Sequence, residues 1–303
     1  MKCPLCSSEQ IKLIDVVDSR VLTKKYERLT NENFSTLFVK EITLNECQNC
    51  KLRFFYPQVA GEESFYNTLQ KYDWYYMKEK EEYREASKYI DSTDKVLDVG
   101  CGKGDFAKYL STIDYVGLEY SKNAQKMALK NGVKIINKMI QDYADKYPKY
   151  FDVVVSFQVL EHVSDPESFL ESMLKSLKSD GKMIIAVPNE DSFLKYASNN
   201  ILNLPPHHVT RWSEDSLKFI AKKYNLNLIG IYRERLQPIH KQWYLKVLIE
   251  NSIIKSKLLD NSFRRKILSV FARLLSKIFI KGFQDEFLPN GHTIMAIYEK
   301  NRN

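Results

Sequence analysis

The chain is short of histidine and lacks any long apolar run. Five of its 303 residues are histidine, and two of them, His207 and His208, are adjacent. No stretch of 18 apolar residues exists, which excludes a conventional membrane-crossing helix. The opening Met1-Lys2-Cys3-Pro4 has none of the apolar core of a secretory signal, so a cytoplasmic protein is expected. Acids are scarce in one segment only. Residues 241–281 hold ten Lys/Arg against Glu250 and Asp260, and the rest of the chain is charge-balanced. A net charge of +8 confined to one segment points to a local basic surface rather than a general nucleic-acid coat. Nothing is missing on the apolar side: 44% hydrophobic content is enough for a core, and the length suits one large domain or two to three small ones.

Four of the five cysteines come as two pairs, Cys3-Pro-Leu-Cys6 and Cys47-Gln-Asn-Cys50. A C-x2-C turn lets two thiolates reach one tetrahedral ion, and two such turns complete a four-sulfur zinc site. Strand-like runs, IKLIDVV and LFVKEITL, lie between the pairs, and KLRFFYP follows them. This is a zinc-ribbon-like layout with a long intervening loop. A closed four-sulfur site has no open position, so its role would be structural. Two disulfides or free thiols are the alternatives; zinc suits a reducing compartment better.

Lys95 to Phe106 read KVLDVGCGKGDF. Val96, Leu97 and Val99 predict a short buried strand, and glycines 100, 102 and 104 turn the chain towards a helix over DFAKYLSTI. Glycine permits positive φ and close approach of a ligand to the backbone. The third glycine comes one residue earlier than a dinucleotide loop requires. Asp98 sits inside the strand just before the loop, where it would repel a phosphate and welcome an ammonium. The next strand, YVGLEY, ends near Glu119, placed as an acid that accepts both hydroxyls of a ribose. VKIINK follows, then Gln141-Asp142, placed to meet an adenine amino group. FDVVVSFQVLEHV and GKMIIAVP supply further strands. Helical stretches between them predict an α/β fold with parallel strands.

The motifs VLDVGCGKG, VGLEYS, IQDY, FDVVVSFQVLEHVSDPESFL and GKMIIAVPN, in order over residues 95–190, resemble class I S-adenosylmethionine-dependent methyltransferases. Within that class the chain is most similar to the group of the ubiquinone-biosynthesis O-methyltransferases, and LNLIGIYRER and HTIMAIYEK extend the match. The resemblance implies a Rossmann-like seven-stranded sheet whose last strand is antiparallel, preceded by the small zinc-binding β module and interrupted by a helical insert before the last strand. The expected organisation is a zinc module at 1–60, a helical lid or linker at 61–92, the core at 93–236, the insert at 237–291, and the last strand and tail at 292–303. By position, Asp98, Gly100 and Gly102 would line the methionine moiety and Gly104 would support the turn. Glu119 would bind the ribose and Asp142 the adenine, with Phe157 and Gln158 beside the cofactor. Cys101 reads as a small packing residue. Tyr75 and Tyr76, in a tyrosine-rich stretch, would lid the cofactor or pack on the zinc module.

Transfer to a hydroxyl needs alignment and a base, and histidine suits the second task. His162 falls at the end of the fourth strand, the edge that faces the ligand crevice in open α/β sheets. His207 and His208 fall in LPPHHVTRWS after the fifth strand. On an extended segment adjacent residues point opposite ways, so one histidine would face the acceptor while the other packs. A metal pair is disfavoured, because adjacent positions converge poorly and no carboxylate cluster is near in sequence. Ser213 reads as the N-cap of the following helix. Nucleobase methylation is disfavoured: the resemblance would then call for an Asn/Asp-Pro-Pro-aromatic signature where Ser156-Phe157-Gln158-Val159 stands, and no cysteine follows Cys101.

In the insert, FRRKILSVFARLLSKIFIKG places Ile267, Phe271, Leu274, Leu275 and Ile278 on one stripe and Arg264, Arg265, Arg273 and Lys277 on the other side, a basic amphipathic helix. It reads as a cap packed on the enzyme or on a second copy, as peripheral contact of 262–281 with the inner membrane face, or as an RNA contact. The zinc module resembles those of sugar methyltransferases in bacterial glycan and antibiotic pathways. The combined expectation is O-methylation of a sugar or sugar-attached group, on a lipid- or nucleotide-linked glycan of a surface polysaccharide or glycolipid. The alternatives are C-methylation of a nucleotide-linked keto sugar, an RNA methyltransferase, and a non-catalytic cofactor-binding scaffold.

Overall fold

A computed structural model describes residues 1–34, 41–69, 80–130, 132–255, 257–282 and 288–302. Eleven strands form two sheets among these residues. The larger contains β4 (Val96–Val99), β5 (Tyr115–Leu118), β6 (Ile135–Ile136), β7 (Phe151–Phe157), β8 (Leu177–Pro188), β10 (Leu226–Arg235) and β11 (Asn290–Lys300), in the order β10-β11-β8-β7-β4-β5-β6. β4, β5, β6, β7 and β8 are mutually parallel, and β11 runs antiparallel to both β8 and β10. The expected seven strands with an antiparallel last one are therefore present. Residues 153–155 of β7 and 183–187 of β8 are apolar runs because neighbours bury both their faces.

The helices are α1 (Ser19–Thr30), α2 (Glu63–Leu69), α3 (Glu81–Ser87), α4 (Lys122–Lys130), α5 (Ile140–Ala144), α6 (Pro166–Ser176), α7 (Glu214–Tyr224), α8 (Lys241–Ile253) and α9 (Phe263–Phe279). Their starts follow local chemistry. Asp165 caps α6 by accepting from Ser168 N at 3.0 Å, with Pro166 in the first turn, where its missing N–H costs nothing. Ser213 caps α7 as expected, and Ser216 answers it by accepting from Ser213 N at 2.8 Å. The helix expected after the glycine loop is only a short 3-10 turn, Asp105–Tyr109, and the strand expected from VKIINK shrinks to two residues.

The smaller sheet has the order β1-β2-β3-β9, from β1 (Ile11–Asp18), β2 (Glu41–Cys47), β3 (Arg53–Tyr56) and β9 (Thr210–Arg211). Two features were not foreseen. The module contains a helix, α1, between its first two strands, and its fourth strand comes from LPPHHVTRWS, far along the chain. Arg53 pairs with Arg211 and Phe54 with Thr210. Glu190, just after β8, ties the joint by accepting from Arg53 Nη1 at 2.7 Å and lying 3.5 Å from Arg211 Nη1. Cys3, Leu5, Leu52 and Phe54 share one buried cluster with Trp212 and the apolar side chains of the large sheet.

The insert forms α8 and α9, and the second helix turns its apolar stripe outward. Arg265, placed by the pattern on the side away from the apolar stripe, is buried and bonded to Glu250 Oε2 at 2.8 Å, beside Leu268, Ala272 and Ser276. Ile267, Phe271, Leu274 and Ile278 are exposed. No helix among the described residues is long and apolar enough to cross a membrane.

Candidate active site

A cavity of about 1070 Å³ opens along the C-terminal edges of the parallel strands. One half is built by the β4 and β5 ends. Gly100, at φ 78°, brings the backbone so close to Val159 that a Cβ would stand 2.4 Å from its Cγ2. Gly102, at φ 54°, faces open space. Both conformations favour glycine, and at Gly100 the contact excludes any side chain as well. Glu119 is half-buried and accepts from Gly102 N at 3.0 Å and Ser121 N at 2.7 Å; the loss of water around it raises its pKa. Gly100, Gly102, Glu119, Phe157 and Gln158 all line the cavity. Gly104 supports the turn from behind, packed against Val133. Asp142 lies exposed in the first turn of α5 and is not among the lining residues, whereas Lys138, Met139, Ile140 and Gln141 are. Tyr75 and Tyr76 lie outside the described residues.

Asp98 tests whether this half fits its expected ligand. It is buried on β4, Tyr115 Oη donates to its Oδ2 at 2.7 Å, and its Oδ1 has no hydrogen-bond partner among the described residues. Burial pushes it up to about 7. A buried orphaned carboxylate oxygen beside a glycine turn suits the ammonium of S-adenosylmethionine, whose charge would restore the ionised form. Cys101 packs against Gly117, whose Cβ would lie 2.4 Å from its Sγ, and burial pushes the thiol far up, so it packs rather than attacks.

The other half gathers all five histidines of the chain: His162, His207, His208, His240 and His292. His207 and His208 do not point opposite ways. Their segment is a turn, not an extended strand, and the two rings stack with centroids 4.6 Å apart. His162 stands against both, at 4.6 and 4.9 Å. Each ring's Nδ1 contacts an oxygen: His162 that of the His207 carbonyl, His207 that of Leu202 at 2.8 Å, and His208 the Asn203 side chain at 3.0 Å. Glu161 completes the set, its Oε1 lying 3.7 Å from His162 Nε2 and 3.9 Å from His208 Nε2. The adjacent histidines thus converge, contrary to expectation, because a turn rather than an extended strand carries them. Ring nitrogens of the three lie within 4.8 Å of one another, a set that could hold a divalent ion as well as handle a proton.

The electrostatics separate these groups. Burial holds His162 down at about 4 and His207 and His208 well below their ordinary range, so they are neutral. Burial pushes Glu161 up to about 8, offset in part by the Lys80 ammonium. Glu161 is therefore the group poised near neutrality, the condition for a general base. Sequence reading fixed on its neighbour His162; the signal for Glu161 is a carboxyl at a strand end beside apolar residues. A second acid–histidine group lies across the cavity, where His292 Nδ1 is 3.8 Å from Glu234 Oε2 and the His240 ring crosses that of His292 at 4.8 Å beside Trp243. Glu161 Oε2, Glu234 Oε2, His240 Nε2 and His292 Nδ1 are buried with no hydrogen-bond partner among the described residues.

Away from the cavity, Cys3 Sγ lies 3.5 Å from Cys50 Sγ, and Cys6 Sγ 3.5 Å from Cys47 Sγ. That is far beyond a disulfide bond, and all four sulfurs lie within 4.8 Å of one another, as one tetrahedral ion needs. Hydrogen bonding from Cys50 draws the Cys3 thiol down to about 6.

The family model described as a methyltransferase domain matches residues 70–230. The ubiquinone biosynthesis O-methyltransferase of Proteus mirabilis is 29% identical over 192 residues, covering 55% of this chain and 76% of that protein. Its Yersinia enterocolitica namesake is 34% identical over 107 residues, and there the chain spans only 44% of the relative. Among solved structures, S-adenosylmethionine-dependent methyltransferases of Thermotoga maritima and Archaeoglobus fulgidus share the fold. Their TM-scores are 0.51 and 0.50 at 17% and 18% identity, over 79% and 72% of this chain and 98% and 91% of theirs. The glycine loop, the orphaned Asp98 and the strand order agree with these matches: the chain belongs to the methyltransferase domain family and is an S-adenosylmethionine-dependent methyltransferase.

Proposed function

We propose that the enzyme O-methylates a hydroxyl of a sugar or sugar-attached group during assembly of a bacterial surface polysaccharide or glycolipid, and that its four cysteines hold a structural zinc ion. The observation that carries the acceptor is the set of buried, unpartnered polar atoms on Glu161, Glu234, His240 and His292 around one cavity. Buried polar atoms cost free energy unless a ligand pairs with them, and a polyhydroxyl ligand offers donors and acceptors to each. The Trp243 face beside them suits the C–H side of a sugar ring. O-methylation is also the reaction named for the relatives from Proteus and Yersinia.

S-adenosylmethionine supplies an electrophilic methyl group on a cationic sulfur. The protein's part is to place the acceptor oxygen and take its proton. In this reading Glu161 takes that proton, while His162 and His208 bracket the acceptor side of its carboxylate. Glu82, buried and raised in pKa by that burial, accepts from Gln158 Nε2 at 3.4 Å and borders the junction between the cofactor and acceptor halves. The expected kcat/KM rises with pH through about 8, because the ionised form of Glu161 is the working one.

The test offers labelled cofactor to glycan, quinone-lipid and RNA fractions. Label in saccharide or lipid-linked saccharide supports the proposal. Label confined to RNA or to a quinone lipid overturns it.

A further inference from the structure

Helix α9 presents its apolar face to solvent. Its inner side, Arg265, Leu268, Ala272 and Ser276, is buried. Its outer side carries Phe263, Ile267, Val270, Phe271, Leu274 and Ile278, and the first, third and last of these are 76%, 63% and 65% exposed. Their spacing places them on a strip roughly 100° wide. Arg264 borders one edge of the strip, and Lys266, Arg273 and Lys277 border the other; all four are exposed. The two acids of the segment add no negative charge to this face. Glu250 is buried against Arg265 and Lys246, and Asp260 accepts from Ser262 N at the start of α9.

We propose that α9 lies in the surface of an anionic phospholipid membrane and docks the enzyme there. A wide aliphatic and aromatic strip with cations along both edges is the arrangement that sinks into the acyl boundary while ammonium and guanidinium groups reach the phosphates. The charge is complementary to anionic headgroups and opposes a second copy: two such helices face to face set cation rows against each other. RNA would leave the apolar strip wet. The buried Arg265–Glu250 pair anchors the inner side to α8, so docking needs no unfolding.

The test uses the full chain with vesicles of phosphatidylcholine alone and with added phosphatidylglycerol, read by co-sedimentation. Binding is expected only where the anionic lipid is present, and it should weaken in high salt. Ile267→Glu/Phe271→Glu should weaken it at least tenfold, and Arg264→Glu/Arg273→Glu on the order of 100-fold. All the substituted side chains are exposed, so melting temperature and S-adenosylhomocysteine affinity should stay as in the parent. Equal binding of parent and variants, or of both vesicle types, overturns the proposal. So does sedimentation velocity showing a parent dimer that Ile267→Glu/Phe271→Glu converts to monomer, with neither form binding vesicles.

Discussion

The two halves of the cavity are built by different means. The cofactor half comes from two adjacent parallel strands and the loops at their ends: Gly100, Gly102 and Glu119 line it, and Asp98 is buried just behind the lining, all close in sequence. The acceptor half is assembled from the end of β7, the turn before β9, the segment from Glu234 to Trp243, and His292 on β11. A short loop fixes the first, whereas topology fixes the second. The largest effect should therefore separate them. Asp98→Ala removes the buried carboxylate opposite the expected ammonium and should abolish detectable cofactor binding. Glu161→Gln should keep cofactor affinity within a few-fold while kcat falls roughly 10²–10⁴-fold, the usual worth of a general base. Isothermal titration with S-adenosylhomocysteine, alongside turnover, reads both. If Glu161→Gln loses the cofactor too, the halves are not separable in this way.

That contrast also explains what could be read from the sequence. The glycine turn, Asp98 and Glu119 were legible because a ligand-binding loop imposes residue types at fixed short spacing. The cysteine pairs were legible for the same reason. The acceptor half was only partly so. His162, His207 and His208 were singled out, but the stacked turn that brings the last two together was not, because an extended backbone predicts divergence. His240, His292 and Glu234 went unnoticed, since nothing local marks them and only the order β8-β11-β10 brings them to the cavity. On α9 the pattern is legible, but its orientation is left open. Periodicity finds an apolar strip; it cannot tell whether the strip faces a core or the outside.

The cysteine module sharpens the comparison, because its backbone hydrogen bonds lead to the acceptor half. β3 carries β9, and Phe55 N donates to Val209 O at 3.0 Å. Val209 N in turn donates to Glu161 O at 2.9 Å. Removing the metal should therefore loosen the acceptor half first. Metal analysis of the parent is expected to give one zinc per chain. Cys6→Ser/Cys47→Ser should lose it and cut turnover about tenfold or more, while cofactor affinity changes far less. A second bound ion that disappears in His208→Ala would place a metal among the histidines instead.

A smaller effect tests the base by stability alone. Glu161 has a folded pKa of about 8 against an ordinary 4.5. Between these values the folded chain keeps a proton that the unfolded chain releases. The unfolded state then binds fewer protons, so stability falls as pH rises across the window. Glutamine cannot ionise and escapes this penalty. Glu161→Gln should therefore melt close to the parent near about pH 4.5 and gain on it as the pH climbs to about 8, by a few degrees at this chain length. The variant that loses most activity would then be the more stable protein, as expected where a working site keeps an acid in apolar surroundings. Differential scanning calorimetry across that range decides it. A melting difference independent of pH would mean that Glu161 is ionised throughout, and its role as the proton acceptor poised near neutrality would fall with it.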